Sequence, residues 1–352
     1  MRYLLLIFIG VILTTIGCQN TQPEQQAENT TTIEDTIKKT MSVNDSLDFL
    51  TRQLQTDYNN TENWYKRAQF LIRQGDLKNA LLDMQEVMNR DTTTAKYRLA
   101  FADLLVAKLD VEQAVKHYDY VLTVDSLSAL AYVGLGRIYA YLDNPGKATA
   151  LLNKAQKINP HLAESYYLEG MIYKDDYYKT KREESFKRAL SSFQTAIEQN
   201  PKHYNAYISL GVMNFERRND IALDYFNSAI EVAPKSSEAW YNKGIFYQNK
   251  KDYATAKNVY REITSFDSLY PKAYYNQGYL QLVIDKNNDS AIYFFEKAID
   301  IDSNYVEAYN NLGLAYERTG DKTSAKKYYK KALKINPDFE LAKKNLNYVN
   351  RH

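Results

Sequence analysis

Three asparagines, Asn242, Asn276 and Asn311, recur in register along the C-terminal half of this 352-residue chain. A primary amide presents donor and acceptor together, so asparagines in register on neighbouring elements can pair with the main chain of an extended peptide. Tyr241, Tyr275 and Tyr279 stand beside them, Asn310 shares the phase of Tyr241 and Tyr275, and Lys272 lies four residues before Asn276. Tyrosine supplies a large contact area at low entropic cost. This set, Tyr241, Asn242, Lys272, Tyr275, Asn276, Tyr279, Asn310 and Asn311, reads as peptide- or partner-binding chemistry.

Reactive chemistry finds no comparable pattern. His117, His161, His203 and His352 fall at unrelated phases, and none lies at metal-ligand spacing from another histidine or a cysteine. No glycine-rich loop is available to cradle phosphate. The carboxylate pairs Asp175-Asp176 and Glu183-Glu184 lie in a charged stretch with no apolar pocket to raise a pKa. Neither enzyme activity, a metal nor a cofactor is expected. The net charge is only +2, from 45 Lys and Arg against 43 Asp and Glu. With no basic stripe evident among the repeats, a nucleic-acid partner is not expected either.

The elements that carry these residues repeat with a period near 34 residues. Small residues mark the packing points at Ala80, Ala114, Ala148, Ala189, Ala222, Ala256, Ala291 and Ala325. Apolar and small residues fall at i, i+3, i+4 and i+7 in both halves of each period, which predicts two amphipathic helices joined by a short turn. The expected units are 61–94, 95–128, 129–162, 163–203, 204–236, 237–270, 271–305 and 306–339. Gly75-Asp76 and Gly320-Asp321 supply turns. Pro160, Pro201, Pro234 and Pro337 stop the second helix at one phase. A capping helix is expected over 42–60 and another over 340–352. The fourth unit carries seven extra residues, and Tyr177 and Tyr178 within them have no repeat-phase packing role. They form a possible partner-contact insertion, beside the plainer reading of a lengthened turn or helix.

The pattern resembles the tetratricopeptide repeat (TPR). An aromatic holds the fourth position at Trp64, Tyr132, Tyr166, Tyr207, Trp240, Tyr274 and Tyr309, with Arg98 the departure. A small residue holds the eighth at Ala68, Ala102, Gly136, Gly170, Gly211, Gly244, Gly278 and Gly313. The resemblance implies an all-α, right-handed superhelical solenoid of about eight helix-turn-helix units, binding partners along its concave first-helix face. Some members of the family clamp a carboxylate with paired Lys and Asn. Lys272 and Asn276 match part of that clamp, but Ile208 and Val212 occupy its other positions, so that specificity is not carried over.

At the N-terminus, Arg2 precedes an apolar run from Leu4 to Leu13 and a small-residue stretch ending at Gly17, before Cys18, the one cysteine of the chain. The run is shorter than a spanning helix needs. It resembles the lipobox of bacterial lipoproteins, although Thr15 stands where Leu is preferred. The resemblance implies a signal peptide over 1–17, lipidation at Cys18 and a flexible tether over 18–41. Gln19 in place of Asp implies the outer membrane of a Gram-negative cell, with the body facing the periplasm and touching membrane through the lipid anchor only. The resulting expectation is a membrane-anchored scaffold or adaptor for envelope assembly; the alternative is a periplasmic, chaperone-like carrier of exported clients.

Overall fold

The computed structural model describes residues 43–351, with side chains from Ser46 onward. The expected signal peptide, Cys18 and the tether lie outside the described residues, as does His352. Among the described residues there are eighteen α-helices and no strand. They are α1 (Val43–Thr56), α2 (Thr61–Arg73), α3 (Leu77–Arg90), α4 (Ala95–Ala107), α5 (Val111–Val124), α6 (Ala129–Tyr141), α7 (Pro145–Ile158), α8 (Ala163–Thr180) and α9 (Glu183–Gln199). There follow α10 (Tyr204–Glu216), α11 (Ala222–Val232), α12 (Ser237–Asn249), α13 (Tyr253–Phe266), α14 (Pro271–Leu280), α15 (Asn288–Ile301), α16 (Val306–Thr319), α17 (Lys322–Ile335) and α18 (Glu340–Arg351). Two compact units divide the chain at Pro201 and Lys202. The first holds α1 to α9, the second α10 to α18, and each is a stack of helix pairs. No helix among the described residues is long and apolar enough to cross a membrane.

Each pair is closed by the same turn chemistry. All eight first helices end at a residue in the left-handed region: Gly75, Leu109, Asp143, Lys181, Arg218, Lys251, Lys286 and Gly320. Only two are glycine, so the other six carry the modest backbone cost of a side chain at positive φ. The next residue caps the second helix. Asp76, Asp110, Asn144, Asp252, Asn287 and Asp321 each accept a backbone N–H three residues on. The two second helices that lack this cap, α9 and α11, have Arg182 and Ile221 at the N-cap position, with no side-chain capping hydrogen bond.

Within each of the last five pairs, the helices meet where the first lacks a Cβ and the second brings a ring. A Cβ built on Gly170 would lie 2.6 Å from Phe193, one on Gly211 2.4 Å from Phe226, and one on Gly244 2.4 Å from Tyr260. Gly278 against Phe295 and Gly313 against Tyr329 repeat the arrangement. All five rings are buried completely or nearly so.

Length variations are absorbed without breaking this contact. The seven extra residues of the fourth unit lengthen both of its helices, α8 to 18 residues and α9 to 17. One extra residue between Gly278 and Ala291 becomes a π-helical turn, Gln281–Asp285, continuing α14. Arg318 on α16 donates to the Leu282 carbonyl at 2.7 Å, and Lys257 on α13 pairs with Asp285 at 2.9 Å, so the distorted turn is tied on both sides.

Gly211→Ala is expected to cost about 1–3 kcal/mol, because Phe226 has no space to yield. Gly146→Ala, in α7 with open space around the added methyl, is expected to be neutral or to stabilise by up to about 1 kcal/mol. Urea unfolding of the two variants measures the difference.

Candidate functional site

The expected binding residues gather on the first helices of the second unit, α12, α14 and α16. The Tyr241 ring lies 5.8 Å from Tyr270 and 6.3 Å from Tyr260. Lys272 holds its ammonium 5.5 Å above the Tyr241 ring. Tyr279 packs, partly buried, against the same cluster. The Tyr275 ring is 4.9 Å from Tyr305 and 5.8 Å from Phe295. Burial and the nearby Glu307 carboxylate push the Tyr275 phenol up to about 12, so it stays protonated at neutral pH. Tyr241, Asn242 and Tyr279 are half-buried and Lys272 is exposed. They form a face of rings and polar heads whose positions are fixed by packing.

The asparagines are placed differently from the expectation. Asn276 and Asn310 are buried, 5% and 4% exposed. Asn345 of α18 donates to Asn310 Oδ1 at 3.0 Å, Asn310 donates to Asn311 Oδ1 at 3.1 Å, and Asn311 donates to the Tyr275 hydroxyl at 3.0 Å. This chain links α18, α16 and α14 and spends the amides that were expected to face a partner. Asn276 is a buried amide too, with no hydrogen-bond partner at Nδ2. Asn276 and Asn310 are therefore corrected from contact residues to internal ones.

The insertion also has a packing role that the sequence did not reveal. Tyr177 meets Phe186 of α9 at 5.1 Å and Tyr178 at 5.4 Å, and Lys181 lies 5.3 Å over both tyrosines. Asp176 accepts from Arg182 at 2.5 Å and from Ser185, which holds its carboxyl below the usual range. These contacts close the tip of the lengthened pair. Tyr178 remains 37% exposed. A cavity of about 90 Å³ is lined by Asp143, Pro145, Met171, Asp176 and Lys179 among others.

A buried ionic group in the first unit was not foreseen. Arg137 of α6, 4% exposed, donates to Asp103 of α4 and Glu164 of α8, each at 3.2 Å. Tyr118 of α5 donates to Asp103 at 2.6 Å. Burial works to lower the Arg137 pKa, but Glu164 and Asp103 together hold it above its ordinary value. Burial raises the Asp103 carboxyl more than Arg137 and Tyr118 lower it. Asp103 and Arg137 share one repeat phase and Glu164 another, so no local motif announces them. Arg137 and Glu164 are enclosed while the Asp103 side chain stays 27% exposed, and the group ties three successive first helices together.

One further feature departs from the reading that no basic stripe is evident among the repeats. Helix α17 carries six lysines and no carboxylate; all but Lys326 are exposed, and four of them, Lys327, Lys330, Lys331 and Lys334, share one side. Among the described residues, no group of three or more His, Cys, Asp or Glu side chains could hold a metal ion.

Stacked helix pairs with small-residue contacts and a polar, aromatic first-helix face define a helical-repeat binding protein. Tetratricopeptide repeat profiles match residues 306–339 and 225–258, and a TPR repeat profile matches 282–320. The chain carries tetratricopeptide repeats. A FAT domain profile matches residues 27–223, a stretch whose described part is built of the same helix pairs. BBSome complex member BBS4 of Bos taurus is 25% identical over 221 residues, 62% of this chain and 41% of that protein. Anaphase-promoting complex subunit 3 of Schizosaccharomyces pombe is 26% identical over 184 residues, 52% of this chain and 26% of that protein. The chain thus spans less than half the length of either relative. Among solved structures, the APC/C hetero-tetramer Cut9-Hcn1 matches with a TM-score of 0.58 at 15% identity, covering 91% of this chain and 60% of that one. The human IFIT1 dimer with m7Gppp-AAAA matches at 0.56 and 19% identity, covering 84% and 68%. At these identities the likeness is one of fold.

Asn310→Ala is expected to cost about 1–2 kcal/mol by stranding Asn345 and Asn311, while Lys272→Ala stays within about 0.5 kcal/mol; thermal unfolding of both checks the internal placement. Arg137→Met is expected to cost about 3–5 kcal/mol near neutral pH, because two carboxylates lose their cation. The raised Asp103 carboxyl favours the protonated folded form. Its contribution is full below the ordinary carboxylate range and is lost as pH rises through the raised folded value. Removing Arg137 raises that value further, so the variant's deficit should shrink on acidification. Urea midpoints across pH 4–8 read the trend.

Proposed function

We propose that this chain is a membrane-tethered TPR scaffold that binds a partner protein or peptide along the first-helix face of its second unit. The observation that carries the reading is the fixed, half-exposed set Tyr241, Asn242, Lys272 and Tyr279. Tyrosines held by neighbouring rings are already ordered and lose little entropy on contact. The resemblance to TPR proteins supports protein or peptide recognition, and two relatives bear the names of complex members, BBSome and anaphase-promoting complex. The tether is proposed from the leader and Cys18: acylation there would hold the body at the outer membrane of a Gram-negative cell, facing the periplasm. The work of such a scaffold would be assembly of an envelope complex.

In the cells that make the protein, Cys18→Ala should move it from the membrane to the soluble fraction. Crosslinked full-length protein should retain one or a few partners by mass spectrometry. A Tyr241→Ala, Lys272→Ala, Tyr279→Ala variant should lose them while keeping its helical circular dichroism. A broad set of exported proteins, unchanged in the variant, would instead mark a carrier and remove this face as the site.

A further inference from the structure

The C-terminal helix pair concentrates charge that the rest of the chain does not share. From residue 322 to 351 there are nine Lys or Arg against two carboxylates, in a chain whose total is +2. The preceding second helix, α15, carries Asp289, Glu296 and Asp300 against Lys297, so the charge is not a habit of the repeat. Lys327, Lys330, Lys331 and Lys334 stand at i, i+3, i+4 and i+7, one side of α17 opposite the buried Ala325, Tyr329 and Ala332. None of the four pairs with a carboxylate among the described residues. Lys327 and Lys331 instead lie over the Tyr328 ring at 5.3 and 5.6 Å.

We infer that this lysine face, with the exposed face of α18, is a docking surface for an anionic lipid bilayer. Four aligned ammonium groups cover roughly 10 Å of helix, a field suited to a dense anionic plane. Helix α18 packs on α17 through Val349 against Ala325 and Tyr329. It presents Leu341, Lys344 and Tyr348 at i, i+3 and i+7, with Leu341 and Tyr348 each 56% exposed. Cations beside an exposed leucine and tyrosine match the headgroup boundary of a membrane, where the apolar side chains enter and the lysines remain at the phosphates. A nucleic-acid strand fits less well. The α17 row holds no arginine for bidentate phosphate contact, and α18 adds a single one, Arg351; the neighbouring rings are already used, with Tyr316 and Tyr328 stacked at 5.4 Å with planes 10° apart and Tyr309 buried. An acidic protein would need carboxylates in matching register, and α17 offers it a convex row with no flanking wall of its own. The surface is distinct from the first-helix face proposed above and does not depend on acylation at Cys18.

The test is co-sedimentation of the full-length chain with phosphatidylglycerol/phosphatidylethanolamine vesicles and with phosphatidylcholine vesicles. Three proteins share one N-terminus: wild type, a variant with Lys327, Lys330, Lys331 and Lys334 all changed to Gln, and one with all four changed to Arg. Any binding through the leader is common to all and cancels. Wild type should prefer the anionic vesicles, with the preference falling steeply between 50 and 300 mM salt. The Gln variant should lose about ten-fold or more of it, and the Arg variant should retain it. Circular dichroism confirms that the solvent-exposed changes leave the helices intact. Equal preference in wild type and the Gln variant would overturn the inference. So would lysine-dependent capture of poly-glutamate or single-stranded RNA without capture of anionic vesicles.

Discussion

Five of the eight helix pairs depend on one steric constraint: a ring of the second helix must seat on a position of the first that has no Cβ. In five successive pairs the ring is Phe193, Phe226, Tyr260, Phe295 or Tyr329, and its seat is a glycine. The close approach gives each pair its internal core, and the pair's remaining apolar surface must be covered by its neighbours. Where the seat has a side chain, the solution shifts. The second pair has Ala102 at this phase, and its ring, Tyr118, lies against Gly134 of the next pair. The same displacement brings the Tyr118 hydroxyl to Asp103, and so into the ionic group around Arg137.

Because the seat is fixed, changes in chain length are expelled to the far ends of the helices. A residue gained in the seventh pair becomes a π-helical turn anchored by Arg318. Seven gained in the fourth become extra helix, closed by the Tyr177, Tyr178 and Phe186 rings. Positions that pack stay in register across the irregular pairs, while the caps of α9 and α11 are lost. Conformational strain is likewise confined to turns, at six non-glycine residues of positive φ.

Much of the fold was legible because its constraint is written in residue type at a fixed period. Alanine and glycine at the packing points, and aspartate after the turn, are the direct signature of close helix approach and capping. The site was less legible. Phase alone assigned Asn276 and Asn310 to a contact face, but whether a side chain at that phase reaches solvent depends on what the next pair brings. Here that is Asn345, 35 residues on, which accounts for Asn310. The Arg137 group escaped notice because its members come from three pairs and satisfy one another only in space. The lysines of α17 were hidden by a net charge that averages them against acidic stretches elsewhere. The aromatic part of the face, Tyr241 and Tyr279, follows the repeat phase and was correctly located on the first helices, half-buried rather than open.

The resulting picture separates two tasks within the second unit. Rings held in place by neighbouring rings present an ordered face on the first helices, and the last pair presents a lysine row on the outside. The measurement that tests the central claim most directly is site-specific photo-crosslinking in the cells that make the protein. A photoreactive phenylalanine would replace Tyr241, Tyr279 or, as a control, Tyr293, which is 54% exposed on a second helix. The account predicts the same discrete adduct from positions 241 and 279 and none from 293. Adducts from 293 alone, or equal adducts from all three, would contradict it.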